Sequence, residues 1–128
     1  MPKEILETPS APSPVGPYSL AVEASGLVFV SGQVGLQPDG GRAADDIESQ
    51  TRQVLDNVGA ILSDVGLDYG DVVKVTVFLA DMGDYPTVND IYGTYFGESL
   101  PARSAVQVAA LPAGFRIEIE VIAARRDT

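Results

Sequence analysis

The chain has 128 residues, 45% of them hydrophobic and 20% charged, a composition typical of one domain with a hydrophobic core. Its net charge of −10 disfavours phosphate backbones, and no apolar run or signal-peptide layout is present; we expect a cytoplasmic protein without nucleic-acid or membrane partners. The absence of Cys and His excludes disulfides, thiolate nucleophiles, imidazole catalysis and Cys/His zinc sites. Any chemistry must use carboxylates, arginine, hydroxyls, backbone groups and water.

The first half of the chain predicts strands followed by one long helix. The Pro-rich segment 1–17 indicates a short edge strand and an extended loop, and a hairpin with strands at about 18–24 and 27–32 follows. Glycines and a proline in 35–45 predict an exposed loop. Between 46 and 65, apolar residues recur at three- and four-residue steps, which is typical of an amphipathic helix.

The second half predicts a strand, a helix and two more strands. The strand covers 71–80, with a buried face that we expect to consist of Val73, Val75, Val77 and Leu79. A helix at 84–97 begins with Asp84 as N-cap, and strands at about 103–109 and 116–124 form a hairpin. The order β-β-β-α-β-α-β-β predicts an α+β fold with a six-stranded mixed sheet, in one domain spanning 1–128. Because two helices cannot cover both faces of such a sheet, we expect both on one face.

Alternation along the last two strands separates an aliphatic face from a polar one. We expect the valines and isoleucines under the helices, and Arg103, Glu118, Glu120 and Lys74 on the uncovered face. Such a face is too polar for a core and too large to be left bare, so it predicts association with other copies. The hairpin would place Glu118 opposite Gln107, about 13 Å along the strand from Arg103. The two side chains are therefore expected to meet only across a subunit boundary.

An arginine, a glutamate and a strand-ending glycine together suggest a site for a small carboxylate. A guanidinium matches a carboxylate in bidentate fashion, a glutamate can orient or deprotonate water, and Gly32 permits close approach to backbone N–H groups. Arg103 and Glu118 would thus suit metal-free hydrolysis at a carbon next to a carboxylate. The alternatives are that these two residues form only an interfacial ion pair, and that Gly32 only permits a bend or bulge.

Seven motifs in a fixed order resemble the reactive intermediate deaminase family, also called Rid or YjgF-like proteins. The motifs are Gly16-Pro17-Tyr18, Val30-Ser31-Gly32-Gln33, the segments 52–58 and 73–79, Val88-Asn89, Pro101-Ala102-Arg103-Ser104 and Ile117-Glu118-Ile119-Glu120. The resemblance runs from about residue 8 to residue 125. Its coverage of nearly the whole chain makes it specific, although each motif alone is weak.

The resemblance implies a chorismate-mutase-like fold and a homotrimer with clefts between subunits. It implies cofactor-free, metal-free hydrolysis of 2-imino acids (2-iminobutanoate, 2-iminopropanoate) or their enamine tautomers to 2-keto acids and ammonium. By this resemblance Arg103 would hold the substrate carboxylate and Glu118 would position water, with Glu120 as the fallback. The other implied pocket residues are Tyr18, Ser31, Gly32, Asn89 and Ala105. Ala105 stands where many close relatives have Cys.

Other functions remain open at this point. One is a non-catalytic trimeric module that binds small carboxylates or a protein partner, and another is a divergent deaminase for a different enamine. A ribonuclease role, attributed to some relatives, is the weakest, because the chain is strongly acidic and has no His.

Overall fold

Six strands form one mixed sheet in this computed structural model, which describes residues 2–126. The strands are β1 (Glu4–Leu6), β2 (Ala21–Ala24), β3 (Leu27–Gln33), β4 (Val72–Leu79), β5 (Ala102–Gln107) and β6 (Ile117–Ala124). Their order in the sheet is β1-β2-β3-β6-β4-β5, and β4 and β5 form the one parallel pair among them. The predicted α+β fold with a six-stranded mixed sheet is confirmed.

Two helices follow the predicted positions closely: α1 (Ile47–Asp64) and α2 (Tyr85–Phe96). The carboxylate of Asp46 caps α1 by accepting a hydrogen bond from the Ser49 N–H at 2.8 Å. The chain leaves α1 through Gly66, whose φ of +83° is a left-handed conformation. Neither helix in the described residues is long and apolar enough to cross a membrane.

The core lies between the helices and one face of the sheet, here called the helix-covered face. Alternate strand residues are fully buried there against both helices, as in Val75, Val77, Ile117 and Ile119. The opposite face, here called the open face, carries the intervening residues of the central strands, and its Phe29 is 42% exposed. Both helices therefore pack on one face, as predicted from their number.

The buried face predicted for β4 is wrong at Val73, the first residue assigned to it. Val72 is 5% exposed and belongs to the core, whereas Val73 is 46% exposed. The register between β4 and β6 shifts between Val72 and Lys74, so one extra residue interrupts the two-residue period. From Val75 onwards the predicted face is correct.

The predicted hairpin between the last two strands is also wrong. β5 pairs in parallel with β4 through the α2 crossover, and β6 inserts between β3 and β4, where both of its edges are paired. The parallel register sets Arg103 beside buried Val75, so Arg103 points to the helix-covered face and not to the open face. Val106, expected under the helices, is 42% exposed instead.

Buried polar side chains hold α1 to the loops beside the sheet. Asn57, 2% exposed, donates hydrogen bonds to the carbonyls of Val34 and Leu36 at 3.3 and 2.7 Å. Gln50, 1% exposed, accepts one from the Arg116 N–H at 2.8 Å. These bonds satisfy backbone groups that lie directly after β3 and before β6, the two strands that carry Gly32 and Glu118.

Candidate active site

Glu118 lies on the open face, in a cleft of about 430 Å³. The cleft is lined by Val15, Tyr18, Ser31, Gly32, Val34, Pro112, Glu118 and Glu120. The structure thus brings Tyr18, Ser31 and Gly32 together with Glu118. Four of the seven residues proposed from the sequence share this cleft.

Gly32 lies directly beneath the carboxylate of Glu118. A Cβ atom at position 32 would overlap Oε2 of Glu118 and lie 2.8 Å from its Cδ. The register between β3 and β6 also shifts between Val30 and Gln33, so a bulge occurs at this point as well. The glycine therefore accompanies an irregular strand and leaves space for the glutamate side chain.

Ser31 anchors the segment that precedes β2. Its hydroxyl donates a hydrogen bond to the Ser19 carbonyl at 2.6 Å, and its backbone N–H donates to the Leu20 carbonyl at 2.9 Å. These bonds hold the neighbouring Tyr18, which is 45% exposed, at the cleft. Because the single hydroxyl proton of Ser31 is already used, this side chain can offer a ligand only an acceptor.

The environment of Glu118 favours proton uptake. Burial raises the pKa of Glu118 above its ordinary value, and the negative charge of Glu120 two residues along the same face adds to the effect. A carboxyl group that binds a proton more readily than an ordinary glutamate is suited to accept one from water and return it.

Arg103 lies on β5 beside α2, half-buried. Its Nη2 donates a hydrogen bond to the Tyr85 hydroxyl at 2.9 Å. Its Cζ lies 4.7 Å from the centroid of the Tyr92 ring and 5.4 Å from that of Tyr85, within range of cation–π attraction. Asn89 lies on the same face of α2, one turn after Tyr85 and one turn before Tyr92.

The charge of Arg103 has no acidic partner within residues 2–126. The other five arginines form salt bridges, in the pairs Arg42–Asp45, Arg52–Glu48, Arg116–Asp84, Arg125–Glu23 and Arg126 with Asp68 and Asp71. Two buried side-chain atoms in the same part of the chain also lack hydrogen-bond partners, Asn89 Oδ1 and the Tyr92 hydroxyl. Buried polar atoms normally have partners, so this flank of α2 has polar capacity for another molecule.

Arg103 and Glu118 lie on opposite faces of the sheet. Glu118 is in register with Phe78 of β4, and Arg103 with Val75. β5, which carries Arg103, and β6, which carries Glu118, lie on either side of β4 and are therefore separated by two strand spacings of about 4.8 Å each. The two side chains point in opposite directions. Ala105 lies on the same side as Arg103 and packs against the core. One chain therefore contains two half-sites: the Glu118 cleft, and the Arg103 half-site with Asn89 and Ala105.

Sequence reasoning missed Tyr85 and Tyr92 as the groups that hold Arg103, because it placed Arg103 on the uncovered face of the sheet, away from α2. The available signal was their spacing of four and three residues around Asn89.

As for metals, residues 2–126 contain no group of three Asp or Glu side chains that could hold an ion.

Comparisons with known proteins agree with this architecture. The chain belongs to the endoribonuclease L-PSP family, whose sequence pattern matches residues 8–125. It is 51% identical over 122 residues to the 2-iminobutanoate/2-iminopropanoate deaminase of Mus musculus, covering 94% of this chain and 90% of the relative. It is 52% identical over 122 residues to Reactive Intermediate Deaminase A, chloroplastic, of Arabidopsis thaliana, covering 94% of this chain. This chain spans 65% of that plant protein's length.

A solved structure shows the same fold. The crystal structure of E. coli TdcF with bound serine superposes with a TM-score of 0.90 at 43% identity, covering 96% of this chain and 99% of that one. The resemblance to the reactive intermediate deaminases, drawn from seven motifs, is thus confirmed.

Proposed function

We propose that this chain is a single-domain, cofactor-independent deaminase that hydrolyses 2-iminobutanoate, 2-iminopropanoate and related enamines to 2-keto acids and ammonium. The observation that carries the proposal is the guanidinium of Arg103, which neutral groups hold and no acid in residues 2–126 neutralises. Such a charge suits a ligand carboxylate. Two relatives about half identical to this chain are named deaminases, one of them for these two imines. A cytoplasmic setting stays a prediction.

The complete site in this proposal forms between copies of the chain in a homotrimer. Each copy has the Arg103 half-site on one face of its sheet and the Glu118 cleft on the other, so a neighbour can supply what each cleft lacks. Exposed apolar side chains support association, since Phe29 and Val106 are each 42% exposed on strands. Tyr18, Ser31, Gly32, Asn89 and Ala105 line the combined pocket in this arrangement.

The proposed reaction is addition of water followed by loss of ammonia. Arg103 binds the substrate carboxylate and sets the imine carbon beside Glu118. Glu118 takes a proton from a water molecule as the water oxygen bonds to the imine carbon. The C=N electron pair moves to nitrogen, which takes up a proton from solvent. The carbinolamine then loses its C–N bond: Glu118 returns a proton to the leaving nitrogen, the hydroxyl proton is released, and the carbonyl forms. One water is consumed and nothing is oxidised.

The test is release of 2-keto acid from imine generated in situ by an amino-acid oxidase, with semicarbazide competing for the imine. We expect wild type to accelerate release, and Arg103→Ala to lose roughly 100-fold or more of that acceleration because the substrate carboxylate is no longer held. Arg52→Ala is the matched control, because Arg52 lies on the exposed side of α1 in a salt bridge with Glu48. Absence of acceleration by wild type with both imines would contradict the proposal.

A binding module without turnover is the second candidate, and one observation favours it. The related TdcF was crystallised with serine bound, a small molecule that carries a carboxylate. Saturable binding of 2-oxobutanoate, lost in Arg103→Ala but with no acceleration of imine hydrolysis by wild type, would establish it.

Ribonuclease activity, named in the family's description, is disfavoured for this chain. The net charge is −10, and the open cleft presents Glu118 and Glu120, which repel phosphate groups. RNA cleavage by a nuclease-free preparation of wild type that is lost in Arg103→Ala would reverse this ranking.

A further inference from the structure

We propose that Tyr85 is a positioning residue for Arg103, whose guanidinium it orients without neutralising the charge. The inference deepens the proposed function and rests on it, because the orientation matters when Arg103 binds the carboxylate of a substrate. Tyr85 would act through Arg103 and not on the reacting atoms.

Tyr85 and Tyr92 hold the Arg103 guanidinium in one orientation, and these two residues are here called the seat of Arg103. The Tyr85 hydroxyl accepts one hydrogen bond from Nη2 at 2.9 Å, which occupies one of the five guanidinium N–H donors and leaves the others. The Tyr92 ring supports the guanidinium at 4.7 Å and is itself 5% exposed and stacked on Phe96, with centroids 4.5 Å apart. A side chain held by one directed bond and two rings loses less freedom when it binds a ligand.

The neutrality of the seat is its distinguishing feature. Four of the other five arginines in residues 2–126 donate hydrogen bonds to carboxylates, which also use their charge. Arg42 donates to the Ala113 carbonyl, but Asp45 lies 3.9 Å from its guanidinium, so Arg103 alone among the six has no acid within salt-bridge distance in the described residues. Asp84, the residue before Tyr85, is an acid that orients an arginine in this way. Its two carboxylate oxygens accept hydrogen bonds from Arg116 at 2.9 and 3.0 Å. A carboxylate at position 85 would orient Arg103 equally well but would compete with the substrate for it. The phenol of Tyr85 fixes the orientation of the Arg103 guanidinium and leaves its positive charge available to the ligand.

The test compares Tyr85→Phe with wild type and with Tyr95→Phe. Tyr95 is the matched control, since its hydroxyl lies on the same helix and bonds Asp56 at 2.8 Å, away from Arg103. Two quantities are measured: KM and kcat for 2-iminobutanoate, and the Kd of 2-oxobutanoate by calorimetry. We expect Tyr85→Phe to raise KM and Kd roughly tenfold while kcat stays within about twofold. The variant loses binding energy that the bound substrate and the transition state share equally, which affects affinity and not the rate of the bound complex. Tyr95→Phe should leave all three unchanged.

A second variant separates positioning from folding. In Tyr85→Glu the new carboxylate should pair with Arg103, so we expect an unchanged or higher Tm together with 2-oxobutanoate binding weakened roughly 100-fold. A residue with a purely structural role would lose stability and affinity together.

The outcomes distinguish this inference from the function on which it rests. An active wild type with KM and Kd unchanged in Tyr85→Phe, or changed equally in Tyr95→Phe, overturns the role of Tyr85 and leaves the deaminase standing. A wild type that binds 2-oxobutanoate without turnover overturns the deaminase, and the Kd values alone then decide for or against Tyr85. A wild type that neither turns over imine nor binds 2-oxobutanoate overturns both.

Discussion

At the level of single residues, Gly32 and Glu118 depend on each other for space. The carboxylate of Glu118 occupies the position that a Cβ at residue 32 would need. A small substitution at this point therefore acts on the glutamate and leaves the core untouched, since the displaced atoms are the end of a flexible side chain.

We predict that Gly32→Ala lowers deaminase activity at least about tenfold, because a displacement of Glu118 by an ångström would misplace the water that it positions in the proposed mechanism. The free energy of unfolding should change by less than about 1 kcal/mol. Keto-acid release and urea unfolding measure the two effects. Gly93→Ala is the control: nothing lies within 4 Å of its added methyl, so it should raise stability by about 0.5–1 kcal/mol with unchanged activity. Full activity in Gly32→Ala would remove Glu118 from the mechanism.

The pH dependence of the reaction should follow Glu118. In the proposed mechanism activity requires the ionised carboxylate of Glu118, so we expect it to be lost as pH falls through the pKa of Glu118, which burial and then Glu120 raise. Glu120→Gln removes the neighbouring negative charge and lowers this pKa, so we expect the acid limb of the kcat profile to move to lower pH. Glu48→Gln, on the exposed side of α1, should leave the limb in place. If the acid limb stays in place or moves to higher pH in Glu120→Gln, a group other than Glu118 controls it.

At the level of elements, α1 fixes the loop that follows β3. The amide of Asn57 bonds two carbonyls of this loop, and its Oδ1 accepts from Gln53 at 3.0 Å. The strand that carries Gly32 is thereby tied to the helix that covers the core.

We predict that Asn57→Leu lowers the free energy of unfolding by about 2–4 kcal/mol, because two hydrogen bonds are lost and the Leu36 carbonyl is left without its donor, while the Val34 carbonyl keeps only the Leu36 N–H. Denaturant unfolding measures this. Gln53→Ala removes only the bond to Asn57 and should cost less than about 1.5 kcal/mol. Equal costs for both variants would show that the loop does not depend on the Asn57 amide.

At the level of the whole molecule, the sheet itself separates the two groups that the proposed reaction requires. Arg103 faces α2 and Glu118 faces the open side, so no side-chain movement within one sheet unites them. A site shared between neighbouring copies follows from this geometry if both residues act in one reaction.

Subunit mixing tests this directly. Arg103→Ala and Glu118→Gln chains should each be inactive, but when they are unfolded and refolded together, intact sites should re-form between unlike chains. Random assembly in a closed ring predicts about a quarter of wild-type activity, with a mass about three times that of one 13.4 kDa chain. Mixing the two folded proteins without unfolding is the control. No recovery after co-refolding would contradict the shared site.

Much of the fold was predictable because local periodicity determines it. The apolar stripe of α1, the glycine that ends it and the alternation in β6 each depend on neighbouring residues in the chain. The partner of each strand was not predictable in the same way. β6 pairs with β3 and β4, which lie far earlier in the sequence, and the bulge at Val73 depends on that pairing.

The identities of the candidate residues, and their resemblance to a deaminase family, were available from the sequence alone. The resemblance also implied that Tyr18, Ser31 and Gly32 share a pocket with Glu118, and one cleft contains all four. Only the tertiary structure decided that Arg103 lies on the helix-covered face, seated on Tyr85 and without an acidic partner among the described residues. The physical reason is that the face of an edge-strand residue depends on its register with a neighbouring strand, and long-range packing selects that register.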